Sequence, residues 1–528
     1  MAIKKKSLVL FATFTVSLGL LTAQVSAQPA FHEPIELMPA VTGDYSWPIT
    51  TDSEVAQAYF DQGLQLRYAY GVDHAARSFR EAQSADPECA MCYWGEAYAL
   101  GSFLNASISL QKASFAYVAI QRAAELVVEN GTQMEKDLIE ASLVRYPENY
   151  SLDMKREIDE AYAASMRLIY EKYPDDLDII AAYASAIFLL EPRRGTRDIY
   201  DPDVIRLHAV LQDGLTQNIR HAGLCHLYIH ATESTIRPDL AEPCAQYISA
   251  EIPGASHINH MPSHTWNEVG RWNDSVRANL EAWHSDQKAS IGEGVPIYPQ
   301  HNLHMMLFAA SNDGQGAIAI QAGKDYTKIT NDQRYHALTM LRFGRFDEIL
   351  ELDNRPEEEI SRAMWDFAMG YAELRLGSAR RANQIADDLL DLAETTEARF
   401  RFHDGSLVVG TVANILVGEI ARADGDLDGA IDAFNESIRW EDQIPYDEPE
   451  ALPFAARHWL GAALLDAGRP VEAEEVYRFE LDDHPHNVWA LHGLKLALEA
   501  QGKQDTFVDE DFAASTARVD TWITESRF

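Results

Sequence analysis

The chain has 528 residues, 47% hydrophobic and 24% charged, which is ordinary for a folded protein but long for one hydrophobic core. Its 82 acidic and 44 basic residues give a formal net charge of −38. So acidic a surface argues against DNA, RNA and anionic membranes as partners, because binding them needs patches of lysine and arginine. Several domains or an array of repeats are therefore expected.

The N-terminus has the pattern of a cleavable export signal. A lysine triplet at 4–6 precedes an apolar stretch from Leu8 to about Ala23, and Val25-Ser26-Ala27 supplies the small residues of a cleavage site. An uncleaved membrane anchor is the alternative, although the stretch is short for a span of about 20 residues. No cysteine follows it, which argues against a lipoprotein, and the sequence shows no second apolar stretch of this kind. We predict a soluble chain that starts near Gln28, is periplasmic or secreted, and contacts no membrane after cleavage.

Export bears on how the four cysteines are interpreted. Cys89 and Cys92 form a CxxC, and Cys225 and Cys244 are the other two. Thiols outside the cytoplasm tend to oxidise, so two disulfides, one per pair, are the simplest interpretation. A redox pair at "CAMC" and thiolate metal ligands are the alternatives.

After the signal, one pattern recurs at an interval of about 34 residues, which is the length of a common helical repeat. The segment that starts at Ala56 has characteristic residues at positions 8, 20, 24, 27 and 32, namely Gly63, Ala75, Phe79, Ala82 and Pro87. These are signature positions of the tetratricopeptide repeat (TPR), in which small residues let two antiparallel helices approach each other and the proline ends the second helix.

Similar units follow towards the C-terminus. They turn at Gly377, Gly425 and Gly468, with a weaker unit at Gly344, while the pattern from about Ala106 to Asp213 stays helical but degenerates. Because one helical hairpin cannot bury its apolar face alone, neighbouring hairpins must stack. The sequence predicts an all-α fold, a TPR-type solenoid of helical hairpins wound into a right-handed superhelix with a concave groove.

This pattern divides the chain into six predicted segments. They are a signal peptide (1–27), an N-terminal extension (28–55), a TPR-like region with degenerate repeats (56–220), a histidine-rich TPR region with the candidate site (221–330), C-terminal TPR repeats (331–510) and a C-terminal tail (511–528).

Two His-x-x-x-His pairs repeat at the same interval. His226 and His230 fall at positions 5 and 9 of their unit, and His260 and His264 fall at positions 5 and 9 of the next. His257 takes position 2 of that second unit. In this type of repeat, positions 2, 5 and 9 of the first helix face the concave groove, and residues four apart share one helix face. The histidines are therefore expected to converge on one patch of the inner surface.

Neutral imidazoles clustered in this way chelate zinc, copper, iron or nickel. The following unit adds two more histidines at positions 2 and 5, and we predict a metal site built from His226, His230, His260, His264, His301 and His304. Zinc or copper is the expected cofactor, as one ion with an open position or as two ions in a shared site.

Two glutamates at positions 12 and 13 are candidate catalytic bases. Glu233 and Glu268 suit a zinc-dependent hydrolysis, but the first histidine pair lacks the glutamate of the HExxH zinc proteases. Whether the chain is an enzyme stays open. The alternatives are metal sequestration without catalysis, a TPR groove that binds a peptide or protein partner without metal, and a structural use of the histidines.

Three local features qualify this prediction. Pro262 lies inside the second pair, so either a helix begins there and leaves His260 on a loop, or the helix is kinked. The insertion Ser285–Gln300 is either a lid over the groove or a spacer. The segment "EDQIPYDEPEALP" (441–453) is expected to be a solvated loop between repeats.

The chain resembles a group of exported bacterial TPR proteins. The resemblance is carried by "DPECAMCYWGEAYALGSFLN", "HLYIHATE" and "HMPSHTWNEVGRWNDSVRANLEA", which stand in this order and match C-x-M-x-x-W-G, H-x-Y-I-H and H-M-P-S-H segments of that group. It spans most of the mature chain and implies the fold and the exported location, but no reaction. Its signature residues here are His226, His230, His260, His264, Cys89 and Trp94.

Overall fold

The structure, a computed structural model, describes residues 30–191 and 195–528. The predicted signal peptide, 1–27, lies outside the described residues. The N-terminal part of the fold is helical: α1 (Glu54–Tyr68), α2 (Val72–Ala85), α3 (Ala90–Leu100), α4 (Leu110–Asn130), α5 (Gln133–Leu143), α6 (Lys155–Lys172), α7 (Leu177–Phe188) and α8 (Pro202–Gln217).

The middle of the chain carries the histidines. Its helices are α9 (Ala222–Thr232), α10 (Glu242–Glu251), α11 (Ser256–His260), α12 (Pro262–Glu268), α13 (Trp272–Lys288), α14 (Pro299–Asn312), α15 (Gly316–Thr330), α16 (Arg334–Arg342) and α17 (Phe346–Ile349).

The C-terminal part contains α18 (Glu359–Arg375), α19 (Ala379–Thr395), α20 (Gly405–Ala423), α21 (Leu427–Glu441), α22 (Arg457–Asp466), α23 (Pro470–Asp483), α24 (Val488–Ala500) and α25 (Thr506–Ser515). Two-residue strands β1 (Arg399–Phe400) and β2 (His403–Asp404) form a small antiparallel hairpin. Short 3-10 helices lie at Ala30–His32, Leu152–Met154, Pro238–Ala241, Ala289–Ile291 and Thr516–Arg518.

Successive helices pack as hairpins through the small residues that the repeat pattern singles out. Gly418 of α20 lies against Phe434 of α21, so closely that a Cβ on the glycine would be 2.3 Å from the ring. Gly461 of α22 meets Tyr477 of α23 in the same way, also at 2.3 Å. The prediction of an all-α fold of TPR-type helical hairpins is confirmed.

These contacts predict a steric penalty at Gly418. Its replacement by alanine should destabilise the α20–α21 hairpin by about 1–3 kcal/mol, because overpacking outweighs the roughly 1 kcal/mol that alanine gains over glycine in a helix. Hydrogen exchange of α20 and α21 measures the loss. Because a leucine in place of the Phe434 ring would leave room for the new methyl group, Gly418→Ala should cost less in a Phe434→Leu background than in the wild type. Equal costs in both backgrounds would show that the ring contact is not the cause.

The apolar residues form two large cores, and the C-terminal helices return to contact the middle of the chain. One core runs from Phe31 to Ile297, and the other runs from Leu303 to Val508. The Trp272 indole N–H donates to the carbonyl oxygen of Pro485 at 2.9 Å, and the Trp489 indole N–H donates to that of Ser311 at 2.8 Å. The last repeats therefore pack against α13 and α14, next to the histidine helices.

Among the described residues, one helix is long and apolar enough to span a membrane. This helix is α20, with a mean hydropathy of 1.4, and the sequence analysis did not recognise it. Two-thirds of its most apolar window (67%) is buried inside the fold, where it packs between α19 and α21. Its apolarity is that of a core helix.

The four cysteines are joined as one disulfide per pair. Cys89 bonds Cys92 at the start of α3, and Cys225 bonds Cys244, which ties α9 to α10. In this state the cysteines offer no thiolate to a metal. Trp94, the other signature residue of this region, is core: its indole stacks on Tyr98 at 4.9 Å.

Candidate metal centre

Six imidazoles from four helices lie side by side in the middle of the fold. We call them the histidine track; they are His226 and His230 on α9, His257 and His260 on α11, His264 on α12 and His301 on α14. Neighbouring ring centroids along the track are 4.5–5.5 Å apart. The structure thus brings together the two His-x-x-x-His pairs and His301.

The track is buried. Each of its members except the half-buried His301 is at most 2% exposed. The repeat pattern predicts that these histidines face an open groove. In the structure, side chains from other parts of the chain cover them. The ring of Tyr70, from the α1–α2 turn, packs on His226 at 4.2 Å, and Tyr298, from the end of the insertion, packs edge-on against His257 at 5.2 Å. The end of Ser285–Gln300 is thus a cover rather than a spacer.

Both tyrosines have a backbone conformation that few residues other than glycine adopt. Tyr70 has φ 61° and Tyr298 has φ 55°. Such strained residues persist only where the surrounding structure holds them, and they concentrate at functional sites. Here both of them place an aromatic ring on the track.

The break at Pro262 leaves the second pair intact. Helix α11 ends at His260 and α12 begins at Pro262, but Met261 between them keeps helical angles, φ −50° and ψ −37°. His260 is therefore helical and not on a loop, and its Nε2 lies 2.7 Å from Nε2 of His264.

The track, together with Glu233 and Glu448 beside it, offers three groups of ligand atoms that could hold a metal ion. In each group the atoms lie within 4.8 Å of one another. The groups are His226 with His230 and His257, His260 with His264 and His301, and His230 with Glu233, His264 and Glu448. Since His230 and His264 each belong to two groups, the track can hold one ion or more.

On α9 the Nδ1 atoms are fixed by oxygen acceptors. The Nδ1–H of His226 donates to the carbonyl oxygen of Tyr68 at 2.6 Å, and that of His230 donates to Oε1 of Glu233 at 2.8 Å. These bonds set the tautomer and direct each Nε2 into the track. Metal-ligating histidines are oriented in this way by their outer partners.

The second pair repeats the arrangement. The Nδ1–H of His260 donates to Oδ1 of Asn279 at 2.8 Å, and Nδ1 of His264 pairs with Oε2 of Glu233 at 2.6 Å. The two Nε2 atoms then face each other, where two lone pairs would repel. A shared cation removes this conflict, whether it is a proton or a metal ion.

The protonation states agree with this geometry. Burial would lower the pKa of His264, but the carboxylates of Glu233 and Glu448 raise it to about 9, so the metal-free track holds its proton there. For His226, His257, His260 and His301, burial lowers the pKa well below 6.5, and nearby imidazoles lower it further. These four rings are neutral, which is the form that binds metals.

Glu448 is a site residue that the sequence analysis missed. Its carboxylate lies 3.2 Å from Nδ1 of His264, in the segment 441–453 that was expected to be solvated. That expectation is wrong for the second half of the segment, because Asp447 and Glu448 are only 4% and 5% exposed, and Ala451 and Leu452 are buried as well.

The β1–β2 hairpin causes this burial by holding the loop against the track. Arg401 donates from its two NH groups to the carbonyl oxygens of Pro449 at 3.0 Å and Glu448 at 2.8 Å. His403 Nε2 lies 2.8 Å from the Asp447 carboxylate. No local pattern in the sequence signals these contacts. His257, by contrast, stands at a groove-facing repeat position and could have been included among the ligands.

Two predicted site residues lie outside the three groups. His304 stacks on Tyr335 with centroids 4.2 Å apart, and burial lowers its pKa well below 6.5. Glu268 lines a cavity of about 560 Å³ that borders His264. The other candidate base, Glu233, has one carboxylate oxygen on His230 and the other on His264, which suits an orienting carboxylate better than a general base.

Comparisons with known proteins find distant structural likenesses. No family model matches the chain, and no curated protein gives a significant match. Among solved structures, the APC/C hetero-tetramer Cut9–Hcn1 is 12% identical, over 89% of this chain and 75% of that chain, with a TM-score of 0.29. The human IFIT1 dimer with m7Gppp-AAAA is 11% identical, over 88% and 90%, with a TM-score of 0.31. The TPR domain of P58(IPK) is 10% identical, over 85% and 98%, with a TM-score of 0.22. Nothing about the ligands of this chain follows from likenesses so distant.

Proposed function

We propose that this chain is an exported metal-binding protein whose histidine track holds a transition-metal ion, zinc or copper. The observation that carries the proposal is the pair His260 and His264, whose Nε2 atoms face each other at 2.7 Å while an oxygen atom lies 2.8 Å from Nδ1 of His260 and 2.6 Å from Nδ1 of His264. Two nitrogens on one tetrahedral zinc lie about 3.3 Å apart, given bonds of about 2.0 Å. Small ring rotations therefore suffice to admit an ion.

The surroundings favour a built site over an incidental cluster. Six imidazoles lie in one contiguous buried or half-buried cluster, although histidine is less often buried than the apolar residues. Neither ring nitrogen of His257 has a hydrogen-bond partner within 30–191 and 195–528, and the same holds for Nε2 of His226. Unpaired buried polar atoms are costly, and a bound ion would satisfy them.

Catalysis is the finer part of the proposal. His264 borders the 560 Å³ cavity, so an ion held by His264 has a neighbouring space in which a substrate or water can approach. A catalytic ion needs such an open position, whereas a structural ion is closed in. Glu268, on the wall of the same cavity, is the candidate acid or base.

The alternative is a repeat scaffold that binds a peptide or protein partner in its groove without metal. The TPR-like scaffold suits protein binding in general. At the histidines, however, a peptide would have to displace Tyr70 and the loop of Glu448, because these cover the track. The geometry favours the metal site.

Metal content tests the proposal. Protein purified from the periplasm should contain zinc or copper in stoichiometric amount by plasma mass spectrometry, and His230→Ala/His264→Ala should lose it, because these two residues are shared between the groups. His208→Ala/His304→Ala is the matched control, since it removes two buried histidines outside the three groups and should keep the metal.

Circular dichroism verifies that all three proteins are folded. A folded wild type that arrives without metal and takes up no zinc, copper, iron or nickel on dialysis would exclude the metal site. Recovery of the protein only in the cytoplasmic fraction, with the segment 1–27 retained, would exclude export.

A further inference from the structure

The cavity beside the track has the size of a ligand site and an unusual charge. Its volume of about 560 Å³ lies in the range of roughly 300–1,000 Å³ that small-molecule pockets occupy. Of the side chains within 30–191 and 195–528 that line it, nine are acidic, against one arginine and two histidines. A path for a bare metal ion would not need this much room.

The cavity runs from an exposed rim to a buried floor. At the rim, Phe479 is 57% exposed, and the side chains of Glu450 and Asp483 are 43% and 62% exposed. At the floor, His264 and Asn267 are only 2% and 6% exposed. A ligand that enters from solvent therefore ends next to the track.

The few basic groups of the cavity are already engaged. Arg457 lies 2.7 Å from the Asp442 carboxylate and 3.6 Å from that of Glu441. His484 lies 2.9 Å from Glu480 through Nδ1 and 3.1 Å from Glu450 through Nε2, and His264 pairs with carboxylates of the track. Among the described residues that line it, the cavity thus has no spare basic group.

Three oxygen-bearing side chains that line the cavity, the buried Asn267 and Glu480 and the half-buried Glu268, have an oxygen without a hydrogen-bond partner among the described residues. Within the described ranges, Oε2 of Glu480 and Oδ1 of Asn267 have no hydrogen-bond partner, and their residues are 1% and 6% exposed. Glu268 has no hydrogen bond or ion pair there either. Burial raises the pKa of Glu268 well above its usual value, and the neighbouring carboxylates raise it further. Glu480 and Asn267 thus offer acceptors without a donor, and Glu268 becomes a charged acceptor when a cation beside it offsets the desolvation.

The walls supply the apolar part of a ligand site. The buried Trp272, Met305 and Phe308 line the cavity, as does the exposed Phe479. Aromatic faces attract cations as well as apolar chains.

From these features we propose that the cavity binds a small organic cation, an amine on a short apolar body, with its ammonium group directed at Glu268, Glu480 and Asn267. The cavity lies beside the proposed metal site. The role of the amine as a substrate of that metal therefore rests on the proposed function. Binding of the amine itself does not, since every contact invoked belongs to the protein.

Calorimetry with hexylamine and 1,5-diaminopentane tests the proposal, with 1-hexanol and hexanoate as neutral and anionic probes. The two amines should bind metal-free and metal-loaded protein, more weakly at higher salt, while the other two probes should not bind. Glu268→Gln should weaken amine binding at least about tenfold, because it removes a charge-assisted hydrogen bond. Glu268→Asp keeps the charge and should retain most of the binding.

The matched control is Glu475→Gln, which removes the same charge from an exposed position on α23 outside the cavity and should bind amines like the wild type. A lysine side chain offers the same chemistry, so a capped Ala-Lys-Ala peptide forms a second arm. Free amines that bind as tightly as the peptide identify a small-molecule site.

Two results would overturn the proposal: the absence of amine binding in both metal states, or unchanged binding by a folded Glu268→Gln protein. Binding of the peptide alone would overturn the small-molecule assignment. If the metal proposal alone is wrong, the protein will take up no metal but will still bind amines, so the two proposals are tested separately.

Discussion

Replacing Glu233 with glutamine is expected to weaken metal binding by about 10–100-fold, the usual effect of removing an outer partner of a ligating histidine. In the wild type, one carboxylate oxygen accepts from Nδ1 of His230 at 2.8 Å and the other lies 2.6 Å from Nδ1 of His264. A glutamine offers only one oxygen, and its NH2 group can only donate. One histidine must therefore turn its Nδ1 into an acceptor and carry its proton on Nε2, where the ion should bind.

Competition with a chromophoric zinc chelator measures this affinity in the wild type and in Glu233→Gln. Glu281→Gln on α13 serves as the control, because Glu281 is exposed and outside the three groups. It should bind like the wild type. If Glu233→Gln binds zinc as tightly as the wild type while remaining folded, Glu233 does not orient the ligands.

The repeat pattern predicts the hairpins and much of the track, for one physical reason. Each repeat packs on the next one along the chain. Two residues that are one repeat length apart in the sequence therefore lie side by side in the structure. That is why His226, His230, His260 and His264 meet as their spacing indicates. Met261 keeps helical angles, so Pro262 disturbs this pairing less than a proline inside a helix usually does.

The repeat pattern does not predict the site residues that come from distant parts of the chain. Tyr70, Glu448 and Asn279 reach the track from three other elements, and contacts of this kind leave no periodicity in the sequence. The acidic, proline-containing segment around Glu448 looks solvated in isolation. It is buried because Arg401, on a two-stranded hairpin that the helical repeat does not predict, binds its backbone.

Replacing His484 with alanine is expected to destabilise the C-terminal repeats by about 3–5 kcal/mol, the cost of removing one partner of a buried ion pair. Its imidazolium lies 2.9 Å from Glu480, which is 1% exposed and would be left charged without this partner. Burial alone would lower the pKa of His484, but the carboxylates of Glu450 and Glu480 outweigh it and raise the pKa well above 6.5. The stabilisation that protonated His484 adds to the folded state is therefore complete below about pH 6.5. It is lost as the pH rises through the pKa that His484 has in the folded state.

Hydrogen exchange of α23 and α24 across this pH range measures both effects. The wild type should lose protection at alkaline pH, whereas His484→Ala should start lower and lack that alkaline loss. His486→Ala is the matched control, because the pair of His486 with Asp511 is about half exposed, with the His486 side chain at 53%. Such a pair contributes less than about 1 kcal/mol. If both variants lower the free energy of unfolding by the same amount, burial of the Glu480–His484 pair does not determine the stability of these repeats. The carboxylates of the acidic cavity would then be tolerated without a cation among them.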